Sequence, residues 1–279
     1  MSKNLRNFSV LFFNLLIFAG CSGSSSTKAP DSDSAKNVQT QSNVPGTPIK
    51  YDSSKRYIYL TWDDGPQPPG TTVCKSIFTQ QGVKASFFMV GFNMFDAKRK
   101  RMVDSVRNGY PEFLLCNHTY THANRDKYTS FYKDVDSALR DVEKNKQTLQ
   151  VPLKILRTPG NNSWAVGGNM RGPKLTQPFC KALDSIGYSV IGWDVEWTFK
   201  NNHGSVPVQS ADQMVTKINQ MFDDDLCFTS NHLVLLAHDR MFEKPQYADS
   251  LTKVIATLKK DPRYIFETLD HYPGVKANK

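Results

Sequence analysis

Apolar and polar positions alternate in blocks along the chain from residue 51 onward. Short, mostly apolar runs predict strands over residues 57–62, 85–90, 113–116, 153–156, 188–193 and 233–237. Longer stretches, of which 131–149 has the clearest helical period, predict helices over 71–81, 96–108, 131–149, 178–186, 211–222 and 247–259. Strands that alternate with helices favour right-handed βαβ crossovers and a mainly parallel sheet.

The number of repeats and the position of the polar residues narrow the fold class. About six or seven repeats without a dinucleotide-binding glycine fingerprint predict an α/β fold, a distorted and incomplete (β/α) barrel, rather than a doubly wound sheet. Unusual polar residues follow the predicted strands directly, at Asp63, Asp64, His118, Arg157, Asp194 and His238. Because the loops after parallel barrel strands share one face, we expect these side chains to meet there.

The N-terminus has a different pattern, which predicts export. Lys3 and Arg6 precede an apolar stretch over residues 8–19, and small residues lead into Cys21. The sequence "IFAGC" resembles a bacterial lipoprotein signal, which implies cleavage before Cys21 and lipidation of that residue; plain secretion is the alternative. We therefore expect a signal peptide over 1–20, a flexible Ser-rich tether over 21–50 and one folded domain over 51–279.

Charge and cysteine content exclude some classes of protein. The net charge of +9 falls to +7 once the two basic residues of the signal are removed, and a basic exported protein favours polyanionic envelope polymers. No basic stripe interleaved with aromatic residues indicates a nucleic-acid partner. The remaining cysteines form no CxxC pair, so a thiolate metal cluster is not expected, and their disulfide pairing stays open: Cys74, Cys116, Cys180 and Cys227. His203 and His232 lie in loop-like stretches and are predicted to be surface residues.

A metal site is indicated by the stretch "NHTYTH" together with the acidic pair of "TWDDGP". His118 and His122 are four residues apart, and on a helical turn both imidazoles would face one cation. Two imidazoles and one carboxylate leave open positions for water and substrate, as catalytic zinc or iron sites require. One aspartate of the pair Asp63–Asp64 can then bind the metal while the other acts as general base.

The motifs "TWDDGP", "HTYTH", "RTPG", "WDVEW" and "LLAHD" resemble, in this order, those of the polysaccharide deacetylases of the NodB-homology type (carbohydrate esterase family 4). The resemblance runs from about residue 57 to about residue 239. It implies a distorted, incomplete (β/α) barrel that removes N-acetyl or O-acetyl groups from sugar polymers. It also implies a divalent metal ion, for which zinc is expected and cobalt, nickel or manganese are alternatives.

The resemblance assigns roles to residues of the first, second and last motifs. Asp63 would be the general base, and the metal ligands would be Asp64, His118 and His122. His238 would protonate the leaving amine, and Leu236 would line the pocket for the acetyl methyl group. These roles agree with amide hydrolysis, which needs an activated water, a stabilised oxyanion and a protonated leaving nitrogen.

The two middle motifs depart from the family pattern. Arg157 would hold the catalytic base by a bidentate contact, and the backbone N–H of Gly160 would face the oxyanion. The family usually has an aromatic residue at the position of Gly160, so this chain lacks that wall of the substrate groove. Trp164 could restore it, although a tryptophan of the core is the stronger interpretation.

The motif "GWDVEW" offers two acids and two tryptophans for one supporting pair. Asp194 or Glu196 could be the acid that tunes the active site, and Trp193 or Trp197 the tryptophan. We expect Asp194 as the supporting acid and Trp197 at the substrate.

Together the sequence predicts an exported, metal-dependent N-deacetylase, lipid-anchored to a membrane of the bacterial envelope and monomeric. Its partners would be an N-acetylated polysaccharide and, through the anchor, the membrane. An O-acetyl xylan esterase of the same fold is one alternative. A non-catalytic glycan-binding lipoprotein is the other.

Overall fold

The computed structural model describes residues 44–200 and 205–276. Its main sheet contains β1 (Arg56–Gly65), β2 (Ala85–Met89), β3 (Phe113–Asn117), β4 (Ile155–Leu156), β5 (Trp164–Val166), β6 (Asn169–Arg171), β7 (Ser189–Val190), β8 (Val195–Glu196), β11 (His232–His238) and β12 (Tyr264–Phe266). The strands β9 (Phe199–Lys200) and β10 (Val206–Pro207) form a separate small hairpin. All of β1 beyond its first residue is buried, which fits its continuous apolar pattern.

The helices lie between these strands along the chain. They are α1 (Gly70–Gln81), α2 (Ala97–Arg107), α3 (His122–Asp126), α4 (Tyr128–Lys133), α5 (Val135–Leu149), α6 (Gln177–Ser185), α7 (Ala211–Asp223) and α8 (Pro245–Leu258). Local sequence explains several boundaries: Asp96 caps α2, Ser210 and Gln213 form a capping box on α7, and Gly82 ends α1 in a left-handed conformation.

The sheet is curled, mainly parallel and open among the described residues, with the strand order β6-β5-β7-β4-β3-β2-β1-β11-β8. Strand β1 pairs in parallel with β2, β11 and β12, whereas β5 pairs antiparallel with β6 and β7. The predicted α/β class and incomplete barrel are confirmed. The carboxyl ends of β1, β3, β4 and β11 therefore lie at one edge of the sheet, where loops can form a site.

Differences from the predicted elements are small and have local causes. The helix predicted over 131–149 is interrupted at Asp134, whose side chain accepts the Ser137 N–H and begins α5. The pairs β5–β6 and β9–β10 and the strand β12 were not predicted, because two or three residues are too few to show a periodicity.

The predictions for the N-terminus lie mostly outside the described residues. The signal over 1–20, lipidation of Cys21 and most of the tether fall there, as does His203. Within the described end of the predicted tether, the Gly46 N–H donates to Asp270 and Ile49 packs against the domain. In residues 44–200 and 205–276, no helix has the length and apolarity needed to cross a membrane. The four cysteines of this part of the chain are free thiols.

Candidate active site

A cleft of about 330 Å³ opens at the carboxyl edge of the sheet and is lined by residues of all five motifs. Asp63 and Asp64 lie near the end of strand β1, and β11 ends with His238 directly beside Asp63 in register. A bulge interrupts the pairing of β1 with β2 after Asp63, and Asp64 has a φ of 73°. Because a bulge re-aims the side chain that follows it, two consecutive carboxylates can face the same cleft.

Three side chains of the cleft bring metal-binding atoms together. The Oδ1 atom of Asp64 lies 3.2 Å from Nε2 of His122 and 3.6 Å from Nε2 of His118. One potential ligand atom from each residue lies within 4.8 Å of the other two. Ligand atoms at about 2.0–2.1 Å from a tetrahedral zinc ion would be separated by about 3.4 Å, so this donor set fits such an ion.

The other ring nitrogen of each histidine is held by an outer partner. Nδ1 of His118 lies 2.9 Å from the Arg157 carbonyl oxygen, and Nδ1 of His122 lies 2.6 Å from Oδ1 of Asp126. This arrangement directs both Nε2 atoms towards Asp64 and is typical of histidines that bind metal ions. Burial lowers the pKa of His118 to about 3, which favours the neutral imidazole that metal binding requires.

The turn that carries His122 is left-handed, not the ordinary helical turn that the spacing predicted. Residues His122–Asp126 have φ between 52° and 64°. A left-handed conformation costs about 1–2 kcal/mol per non-glycine residue, so surrounding contacts must stabilise it. Asp141 provides several of them, since its Oδ1 accepts the N–H of Tyr120 at 2.6 Å and of Thr121 at 3.1 Å.

Asp63 is buried beside Arg157. Nη1 of Arg157 donates to Oδ1 of Asp63 at 2.8 Å and to the hydroxyl of Thr61 at 2.8 Å, while Nη2 donates to the Gly192 carbonyl. The contact with Asp63 thus uses one guanidinium nitrogen, and the expected bidentate geometry was wrong because backbone carbonyls bind the rest of the group. Burial raises the pKa of Asp63, although the charge of Arg157 opposes this shift.

His238 and Leu236 both line the cleft, as expected from the last motif. The His238 ring packs edge-on against Phe199, with 4.9 Å between ring centroids. Burial lowers the pKa of His238, and the charges of Asp64 and Asp63 oppose that shift. The leucine side chain is buried, so it presents an apolar surface beside the histidine.

Gly160 also lines the cleft, but Trp164 does not restore the missing wall beside it. Trp164 is fully buried and stacks on Phe228 at 4.3 Å, so it is a core residue, as the stronger of the two interpretations of this position had it. Gly160 has a φ of 66°, and a Cβ atom there would lie 2.6 Å from the ring of Tyr128. The aromatic ring next to Gly160 therefore comes from α4 and was not predicted.

The fourth motif requires a further correction. Asp194 faces away from the cleft: its carboxylate accepts the N–H groups of Phe228 at 2.7 Å and Val234 at 2.8 Å. Trp197 is buried and donates its Nε1–H to the carbonyl of Gln209. Glu196 and Trp193 line the cleft in their place. Two residues along a strand differ little in sequence pattern, which is why the pattern did not separate these pairs.

Sequence reasoning also missed Arg240 and Asp126. Nη2 of Arg240 pairs with Oδ2 of Asp64, which leaves Oδ1 facing the histidines. Arg240 comes two residues after His238, and Asp126 comes four residues after His122. That proximity to the motifs was the available signal, but charged residues next to motifs are too common for it to select these two.

An incomplete, mainly parallel α/β barrel with one carboxylate and two imidazoles at its carboxyl edge is the arrangement of a hydrolase. Residues 50–164 match the polysaccharide deacetylase family model, so this part of the chain is similar to the polysaccharide deacetylase domain of the NodB-homology type.

Individual relatives agree with this assignment. The chain is 27% identical over 247 residues to a chitin deacetylase of Colletotrichum lindemuthianum, covering 87% of this chain and 90% of that protein. It is 24% identical over 211 residues to a peptidoglycan-N-acetylglucosamine deacetylase of Bacillus cereus, covering 75% and 84%. The fold matches a family 4 carbohydrate esterase of Streptococcus mutans with a TM-score of 0.59 and 21% identity, over 77% of this chain and 86% of that one.

Proposed function

We propose that the protein is a metal-dependent deacetylase that hydrolyses N-acetyl groups of an envelope or extracellular polysaccharide. The observation that carries the proposal is that Asp64 Oδ1 lies close to the Nε2 atoms of His118 and His122. A second carboxylate, Asp63, and a third histidine, His238, line the same cleft. The relatives support the choice of an amide substrate, since two of them are named as deacetylases of chitin and of peptidoglycan N-acetylglucosamine.

Asp64, His118 and His122 would hold the metal ion, for which we propose zinc because of the donor set and its spacing. When bound, the ion would polarise the acetyl carbonyl and lower the pKa of a coordinated water. Arg240 keeps Oδ2 of Asp64 occupied, so that Oδ1 is the oxygen that faces the site.

Asp63 would remove the proton of the attacking water. Its other contacts leave it suited to this role: Arg157 fixes Oδ1, and Oδ2 faces His118 at 3.6 Å. A carboxylate whose pKa is raised by burial is a stronger base than one exposed to solvent. Arg157 would hold it in position and balance its charge.

His238 would donate the proton that the leaving nitrogen needs. Burial lowers the pKa of His238, the charges of Asp64 and Asp63 oppose that shift, and Phe199 restricts the orientation of the ring. Leu236 would contact the acetyl methyl, and the N–H of Gly160 would donate to the oxyanion.

The test is acetate release from a panel of polymers, with the protein supplied with zinc. We expect release from N-acetylated substrates such as chitooligosaccharides or peptidoglycan, and its loss on chelation. Acetate release from acetylated xylan alone would favour an O-acetyl esterase. Polymer binding without acetate release across several metal ions would favour a non-catalytic glycan-binding protein.

We also propose that the protein is exported and lipid-anchored at Cys21, with residues 21–50 as a tether, 51–279 as the catalytic domain and a monomeric state. The layout of residues 1–21 supports the proposal. Membrane fractionation tests it: Cys21→Ala should move the protein from the membrane fraction to a soluble fraction. An unchanged distribution would contradict the anchor.

A further inference from the structure

The ring of Tyr128 occupies the space where a side chain at position 160 would lie. A Cβ atom on Gly160 would approach three ring atoms of Tyr128, Cζ at 2.6 Å, Cε1 at 2.7 Å and Cε2 at 2.9 Å. A side chain at position 160 would therefore displace the ring, and it would also be strained by the φ of 66°. The ring therefore packs directly on the backbone that borders the cleft.

Tyr128 is half-buried and lines the same cleft as the proposed catalytic groups. Its position on α4 places an aromatic surface next to Gly160, where the segment after Arg157 supplies none. Trp164 cannot take that place, because it is enclosed in the core against Phe228. A half-exposed aromatic face beside a polar cleft is a typical contact surface for the apolar face of a ring-shaped ligand.

The hydroxyl group of the same side chain reaches the proposed metal site through one intermediate residue. It donates to Oδ1 of Asp126 at 2.9 Å, and that oxygen also lies 2.6 Å from Nδ1 of His122. The rings of Tyr128 and His122 pack edge to face with 6.2 Å between centroids. Tyr128 thus restrains both the carboxylate and the imidazole, in a turn whose left-handed backbone needs such restraint.

From these contacts we propose that Tyr128 is a specificity-determining and positioning residue. Its ring stacks on the pyranose of an N-acetylated sugar, and its hydroxyl group positions His122 through Asp126. The proposal rests on the proposed function, because it assumes a sugar polymer in the cleft. It assigns the two roles to different atoms of one side chain, so the two can be separated by substitution.

Two variants and one common background separate the roles. Tyr128→Phe keeps the ring and removes the hydroxyl group, whereas Tyr128→Leu removes both. Sugar binding is measured by calorimetry with a chitooligosaccharide in the zinc-loaded Asp63→Asn background, where the substrate would not be consumed. Zinc affinity is measured by calorimetry on the metal-stripped proteins, and Tyr247→Leu, which changes a half-buried tyrosine outside the cleft, is the matched control.

We expect Tyr128→Leu to weaken sugar binding about tenfold, the loss typical of one aromatic contact. Tyr128→Phe should bind sugar within about twofold of the unsubstituted background but bind zinc about three- to tenfold more weakly, a smaller effect than loss of a direct outer partner. The control should change neither affinity. If Tyr128→Leu does not fold, Tyr128→Phe still tests the positioning role. Tyr128→His keeps an aromatic ring, so its sugar affinity, compared with that of Tyr128→Phe, then tests the stacking role.

Unchanged sugar binding in Tyr128→Leu would overturn the stacking role, and so would an equal loss in Tyr128→Phe, because the hydroxyl group would then carry the binding. Unchanged zinc affinity in Tyr128→Phe would overturn the positioning role. Failure of the proposed function looks different: the unsubstituted protein would release no acetate from any polymer, whatever residue 128 is.

Discussion

His232 and His238 lie at opposite ends of strand β11, and their surroundings differ. Strands β1 and β11 run parallel, with Tyr57 beside His232 at their start and Asp63 beside His238 at their end. His232 is buried, stacks on Tyr57 with 4.9 Å between centroids, and has Nδ1 2.9 Å from the Tyr59 hydroxyl. His238 is partly exposed in the cleft, close to two carboxylates.

The difference shows that the surroundings, not the residue type or strand, decide what a histidine can do. Burial among aromatic rings lowers the pKa of His232 to about 4, so this imidazole stays neutral at physiological pH and contributes packing. At the other end, burial also lowers the pKa of His238, but the charges of Asp64 and Asp63 oppose that shift. His232 was predicted to be a surface residue, which was wrong because β11 begins one residue earlier than its apolar pattern indicates.

The largest effects are expected at the cleft end. Asp63→Asn and His238→Ala should each lower the turnover number by about 10²- to 10⁴-fold, the range for loss of a general base or acid. Both variants should still bind zinc, because neither residue belongs to the proposed ligand set. Acetate release and zinc calorimetry measure the two quantities. Turnover close to that of the original protein in either variant would remove the role assigned to that residue.

Metal binding should follow a graded series within the same cleft. His118→Ala removes a proposed ligand and should weaken zinc binding by more than about 100-fold, since loss of an outer partner alone costs about 10- to 100-fold. Asp126→Asn, which changes the outer partner of His122, should fall in that lower range. Titration of the metal-stripped proteins with zinc tests the order. Equal zinc affinities for the original protein and both variants would exclude this site.

Much of the cleft was predictable because chemistry and topology agree there. Parallel strands bring their carboxyl ends together, so Asp63, Asp64, His118 and His238 could be grouped from their positions after predicted strands. Whether each then acts as ligand, base or acid stays a prediction.

The residues that hold the cleft in shape were not predictable in this way. Asp141 lies in the middle of α5 and stabilises the turn before His122 through a contact across the loop. Tyr128 at the start of α4 and Arg240 in the turn after β11 reach the cleft because of the path that the chain takes around it. Such contacts depend on three-dimensional neighbours and leave no periodic pattern in the chain.

At the end of the strand pair that contains His232, a substitution should change the stability of the protein and not its turnover number. The pKa of His232 is about 4 in the folded protein against about 6.5 in an unfolded chain, so below pH 6.5 the unfolded state binds more protons. The contribution of His232 is fully present above pH 6.5 and is lost as the pH falls to 4, to a total of about 3 kcal/mol.

His232→Phe is the matched variant for this prediction. Phenylalanine keeps a ring beside Tyr57, and the Tyr59 hydroxyl can still donate to the His271 carbonyl at 3.0 Å. Denaturant unfolding at several pH values should show a shallower loss of stability between pH 6.5 and 4 than in the original protein. The turnover number at neutral pH should be unchanged. Parallel pH profiles would show that His232 does not titrate as described.

The smallest effects are expected at Asp194 and Glu196, two residues apart, of which only Glu196 lines the cleft. Asp194→Asn removes one acceptor from the pair of bonds to Phe228 and Val234, and should lower stability at pH 7 by about 1–2 kcal/mol with little change in turnover. Glu196→Gln removes a charge that lines the cleft and should lower turnover about three- to tenfold with little change in stability. Asp194→Asn should therefore lower the melting temperature with little change in acetate release, whereas Glu196→Gln should lower acetate release with little change in the melting temperature. The reverse combination would mean that Asp194 supports the chemistry after all and that the cleft position of Glu196 is incidental.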